Sequence, residues 1–82
     1  MTYQEKEISK NQLEKFIQVL DLDEGIRIEN KLNMIFLNKS AKRYCVNIDT
    51  DGKNVFVYYN SPAEVLDFFK NTVDDICKIY SY

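Results

Sequence analysis

The sequence predicts an α+β fold: a two-layer domain in which an antiparallel β-meander of three or four strands is covered on one face by two amphipathic helices, in the order α-β-β-β-β-α. Three observations lead there. Segments with helical apolar spacing and capping signals stand near both ends of the chain. Between them the apolar period falls to two, as in half-buried strands. Asp51-Gly52 separates two such runs and suits a two-residue hairpin loop, because both positions tolerate positive φ.

The chain has 82 residues, 45% of them hydrophobic and 29% charged, which leaves room for one small domain over 1–82. Residues 1–7 are polar and are expected as a loose lead-in. Ser9 and Gln12 have capping-box spacing, and Ile8 and Leu13 stand where a hydrophobic staple needs them. Leu13, Phe16, Ile17 and Leu20 then form one buried stripe, so the first helix should end near Asp21 and turn at Asp23-Glu24-Gly25.

Ile26 and Ile28 alternate with Arg27 and Glu29 in the first strand. In the second, Leu32, Met34 and Phe36 are assigned to the core face, and Asn33, Ile35 and Leu37 to the other. That assignment pairs Ile28 with Leu32 and Ile26 with Met34 across a three-residue loop; a slip by one residue reverses every face. A third strand over 43–49 and a fourth after Gly52 pair Ile48 with Val55, Val46 with Val57 and Tyr44 with Tyr59, all on the helix side. Ser61 as N-cap, Pro62 in the first turn and Glu64 three residues after the cap open the last helix. Leu66, Phe69, Val73, Ile76 and Tyr80 keep helical spacing, which favours one helix through Asn71-Thr72 to the end of the stripe; Thr72 and Asp75, at capping-box spacing, leave a kink or restart there as the alternative.

Composition narrows the function. The chain has no His, which removes the commonest general base and metal ligand and leaves no Ser-His-Asp or Cys-His site. Cys45 and Cys77 lie far apart with no C-x-x-C, the pattern of reduced, packed thiols in a cytosolic protein. No catalytic, cofactor-binding or metal site is assigned, and the expectation is a protein that is not an enzyme. Asn47–Gly52 matches the start of an EF-hand loop, but Tyr58 stands where the bidentate Glu belongs and the flanks read as strands, so a hairpin turn is the better reading. No signal segment follows Met1 and no run is long and apolar enough for a membrane, so a cytoplasmic location is expected.

The sheet has a second face. The register leaves Arg43, Cys45, Asn47, Phe56 and Tyr58 there, with Arg27, Ile35 and Leu37. A face meant only for water is polar, whereas aromatics are enriched where proteins meet. Ile35, Arg43, Cys45, Phe56 and Tyr58 are therefore the candidate partner-binding residues, with Lys39 and Lys42 as rim or phosphate contacts. The partner is a host protein or a second copy of the chain. The acidic stretch Asp21, Asp23 and Glu24 is the fallback surface. An RNA or single-strand binder would use the same aromatics as a stacking platform. The net charge of −2 argues against it.

In size, element order and base-composition bias (abundant Lys, Asn and Ile, scarce Ala and Gly) the whole chain resembles small phage-encoded anti-defence proteins, anti-CRISPR inhibitors among them. The resemblance implies a single domain that inhibits by occupying a host protein's surface in the cytoplasm of a bacterial host cell, with no functional residue to carry over.

Overall fold

The computed structural model describes residues 5–74 and 77–82. Lys6–Ile8 forms a first strand, β1, where a loose lead-in was expected. Ser9 then donates its backbone N–H to Gln12 Oε1 at 3.0 Å, the reach-back half of the capping box. A 3₁₀ turn over Lys10–Gln12 leads into α1, Leu13–Gln18. The helix is shorter than its apolar stripe. Val19 leaves helical geometry, and an acidic turn takes over: Glu24 Oε1 accepts the Asp21 N–H at 2.9 Å and Asp21 Oδ1 accepts the Leu22 N–H at 2.8 Å. Leu13, Ile17 and Leu20 are buried along the stripe.

Strands β2 (Gly25–Glu29), β3 (Met34–Lys39), β4 (Tyr44–Thr50) and β5 (Lys53–Tyr59) form the antiparallel meander. At the β4–β5 tip, Asp51 and Gly52 adopt φ of 51° and 83°, and Asp49 Oδ1 accepts the Gly52 N–H at 3.0 Å. This turn sets the expected register: Ile48 opposite Val55, Val46 opposite Val57 and Tyr44 opposite Tyr59.

Helix α2 spans Pro62–Thr72. Ser61 Oγ accepts the Glu64 N–H at 3.3 Å, while Glu64 Oε1 reaches past the cap to the Asn60 N–H at 3.2 Å. Val65 and Phe69 are its buried anchors. The helix ends at Thr72, where the expected continuous helix gives way. Thr72 Oγ1 turns back to the Phe68 carbonyl at 2.7 Å, a bond that competes with helix propagation. Asn30, from the β2–β3 loop, then takes over the freed backbone. Its Nδ2 donates to the Thr72 carbonyl at 3.0 Å, and its Oδ1 accepts the Asp74 N–H at 3.1 Å.

Lys78–Ser81 is a sixth strand, β6, in place of the last helical turns. It inserts between β1 and β2, so the sheet order is β1-β6-β2-β3-β4-β5 with every neighbouring pair antiparallel. The fold is α+β, as expected, with six strands rather than three or four and the order β-α-β-β-β-β-α-β. Ile76, assigned to the helical core, lies outside the described residues.

Two expectations about side-chain faces are corrected. The β2–β3 loop holds four residues rather than three, pairing Glu29 with Met34 and Ile28 with Ile35. The register thus moves by three residues, Ile28 facing Ile35 instead of Leu32, and an odd shift turns β3 over: Ile35 and Leu37 are completely buried, and Met34 and Phe36 move to the face away from the helices. Val55, expected in the core, is 55% exposed, because it sits on the outermost strand toward the hairpin tip. The core joins both helices to the inner sheet face through Ile8, Ile17, Ile26, Ile28, Ile35, Leu37, Val46, Val65, Phe69 and Ile79. Among the described residues no helix is long and apolar enough to cross a membrane.

Candidate functional site

Both helices pack on one side of the sheet, so the register alone assigns the other face. Its two halves differ in chemistry. On β1, β6 and β2 the outward positions are Glu7, Lys78, Tyr80, Arg27 and Glu29. Here the groups satisfy one another. Arg27 makes a two-pronged ion pair with Glu5, Nε to Oε2 at 2.8 Å and Nη2 to Oε1 at 2.9 Å, and a second with Glu29. Its guanidinium also lies 4.4 Å from the centre of the Tyr80 ring. The Arg27 hydrogen bonds hold the Glu5 carboxyl below the ordinary carboxylate range, and the same pairing raises the Arg27 pKa.

On β3, β4 and β5 the outward positions are Met34, Phe36, Asn38, Cys45, Asn47, Asp49, Asn54, Phe56 and Tyr58. Phe56 is 56% exposed and Tyr58 54%. Arg43 stacks its guanidinium 4.9 Å from the centre of the Tyr58 ring. Asn47 lies between Phe36 and Phe56 in the register, and its Oδ1 is buried with no hydrogen-bond donor among the described residues. An unsatisfied buried acceptor costs about 1–3 kcal/mol. This half therefore groups Met34, Phe36, Phe56 and Tyr58 around an under-satisfied Asn47, with Asn38, Asp49 and Asn54 as its polar margin, unlike the ion-paired half beside it.

The structure brings Arg43, Cys45, Phe56 and Tyr58 together on this face. Ile35 does not belong with them: it is completely buried beneath the helices, and its neighbours Met34 and Phe36 take its place. Nothing in the sequence separated the two choices, since residues 34–37 are apolar at every position.

The three cations at the β3–β4 connection, Lys39, Lys42 and Arg43, divide between the two sides. Lys39 pairs with Tyr44 on the helix side and holds its ammonium 5.5 Å from the Tyr44 ring centre, whereas Arg43 stacks on the open side. Ser40 pins the loop between them, its Oγ donating to the Arg43 carbonyl at 2.9 Å. Lys42 is exposed beside a shallow concavity shared with Ser40, Ala41, Arg43 and Asn60. With the cations on two sides of the sheet, no continuous basic track follows the aromatics.

Two of the three fallback acidic residues are already engaged. Asp21 and Glu24 accept backbone N–H groups of their own turn, while Asp23 is exposed. Asp23 and Glu24 also rim an open groove of about 870 Å³ with Glu5, Leu22, Arg27, Phe36, Asn38 and Tyr82. Tyr82 fills its floor: its backbone pairs with Gly25 in both directions, at 2.9 and 3.0 Å, and its hydroxyl lies 3.3 Å from Asn38 Oδ1. A Cβ on Gly25 would stand 2.5 Å from the Tyr82 ring, so glycine is what lets the ring lie there. Partial burial pushes the Tyr82 phenol pKa up.

Among the described residues no cluster of three acidic or cysteine side chains is placed to hold a metal ion. No protein-family model, curated protein or solved structure matches this chain.

Proposed function

We infer that this protein is a non-enzymatic binding module that docks on a host protein through the aromatic half of its open sheet face. The observation that supports this most is the contrast between the two halves. Where the face carries charge, Arg27, Glu5 and Glu29 neutralise one another at the surface. Where it is aromatic, Phe56 and Tyr58 stay more than half exposed among the described residues. Exposed contiguous apolar groups mark contact surfaces, and Tyr, Phe and Arg are the residues enriched there. Arg43 adds a cation whose apolar flank extends the surface while its charge favours an acidic rim on the partner.

In this reading the protein acts as an inhibitor by occupation, in the cytoplasm of a bacterial host and of phage or mobile-element origin. The support for that origin is the small single domain and the Lys, Asn and Ile bias. Nucleic acid is the weaker reading, because Lys39 and Arg43 fall on opposite sides of the sheet.

The test is capture from a low-GC bacterial lysate by the wild-type protein and by Phe56→Ser with Tyr58→Ser, with circular dichroism confirming that the variant is folded. Leu32→Ser, on an exposed loop, is the control. Loss of the captured protein with the double variant alone supports the reading, and unchanged capture overturns it.

A further inference from the structure

The two edges of the sheet are defended differently. The β1 edge has only three residues, two of them the charged Lys6 and Glu7. Short, charged edges resist pairing with another chain. The β5 edge has seven residues, Lys53–Tyr59, with Lys53 at its end as the one charge and no proline. Its pairing with β4 runs through all seven positions without a bulge.

The Asp51-Gly52 turn fixes which backbone groups that edge presents. In a two-residue hairpin the flanking pair Thr50–Lys53 exchanges both hydrogen bonds, and the pattern then alternates. Lys53, Val55, Val57 and Tyr59 thus turn their N–H and C=O groups to β4. Asn54, Phe56 and Tyr58 turn theirs outward, away from the sheet.

We propose that β5 pairs antiparallel with β5 of a second copy of this chain, across a two-fold axis at Phe56, joining two sheets into one. The sequence is self-complementary in that register. Phe56 meets Phe56 of the other copy, and Asn54 meets Tyr58, so the outward-facing groups bond only to one another. Val55 meets Val57 on the helix side, which covers the half-exposed Val55 that the monomer's core leaves out. Lys53 meets Tyr59, so no like charges are opposed. A foreign strand would satisfy the backbone equally well. The full seven-residue overlap with apolar pairs on both faces favours a second copy. The pairing goes beyond the host-protein reading and is compatible with it: the aromatic side chains of both copies remain on one face and form a single larger patch.

The experiment is sedimentation velocity over a concentration series, combined with amide hydrogen exchange, on the wild-type protein, Val55→Lys and Asn54→Pro. Val55→Lys places a charge on the edge at an exposed position. Asn54→Pro removes an outward N–H and leaves the β4 ladder intact. Both leave Phe56 and Tyr58 in place, so either variant keeps its host-protein capture if that reading holds, whatever happens to the dimer. The expected result is a wild-type dimer in which the Phe56 and Tyr58 amides exchange slowly, and monomeric Val55→Lys with those amides released. A wild-type protein monomeric throughout overturns the proposal. So does a dimer whose Phe56 amide exchanges freely, or protection of that amide only when a foreign protein is bound.

Discussion

The guanidinium of Arg43 stands 4.9 Å from the centre of the Tyr58 ring, on the side of the sheet that the helices leave open. The pair puts a cation at the edge of an aromatic surface while Lys39, four residues earlier, is held against Tyr44 on the other side. Rim charges steer encounter more than they hold a complex together. Arg43→Gln is therefore expected to slow association with the captured partner and flatten its salt dependence, with a smaller change in dissociation. Lys39→Gln should leave both rates unchanged. Surface plasmon resonance at two ionic strengths distinguishes them.

Asn30 couples the β2–β3 loop to the end of α2 through the Thr72 carbonyl and the Asp74 N–H. Asn30→Ala leaves both backbone groups without that partner in a half-buried place. Urea denaturation should show a loss of about 1–3 kcal/mol. Leu32→Ala, in the same loop but exposed, should be nearly neutral.

Both the Asn30 contact and the β4–β5 turn come from polar loop residues, yet only one was legible in the sequence. Asp51-Gly52 specifies its own turn by local chemistry, and the paired residues on either side agree with it. Asn30 acts across the fold, on a helix end more than forty residues away. The helical spacing of Phe69, Val73 and Tyr80 continues through the break, so nothing local announced β6. The alternation Ile79-Tyr80-Ser81 was the available signal, with Ile79 buried and Tyr80 on the open face. In β3 the run Met34-Ile35-Phe36-Leu37 is apolar on both sides, and loop length alone chose its face. The open aromatic face was therefore legible on β4 and β5, while its contributions from β3 were not.

Gly25 and Tyr82 are in contact through space that a side chain would occupy. Gly25→Ala is expected to push the Tyr82 ring off the floor of the groove. The phenol then becomes hydrated and its pKa falls toward the ordinary 10.0. Ultraviolet titration of Gly25→Ala against the wild type and Tyr82→Phe reads this directly. In the wild type the raised phenol pKa disfavours the ionised form in the folded state, so this group removes stability as the pH rises through 10.0. Tyr82→Phe should remove that part of the alkaline loss.

Glu5 behaves in the opposite sense. Its folded pKa is depressed below 4.5 by the Arg27 hydrogen bonds, so its contribution is present above the unfolded value and lost as the pH falls through the folded one. Stability should decline on acidification below pH 4.5, and Glu5→Gln should flatten that part of the curve. The pair is at the surface, so the difference is small and shrinks in high salt.

The most direct test of the open face as a contact surface is hydroxyl-radical footprinting of the protein alone and with its captured partner. Phe56 and Tyr58 are exposed enough to be oxidised in the free protein, and so are Leu22 and Leu32 elsewhere. The account predicts strong protection of Phe56 and Tyr58 in the complex, with Leu22 and Leu32 unchanged. Protection of Leu22 or Leu32 while Phe56 and Tyr58 remain fully reactive would contradict it.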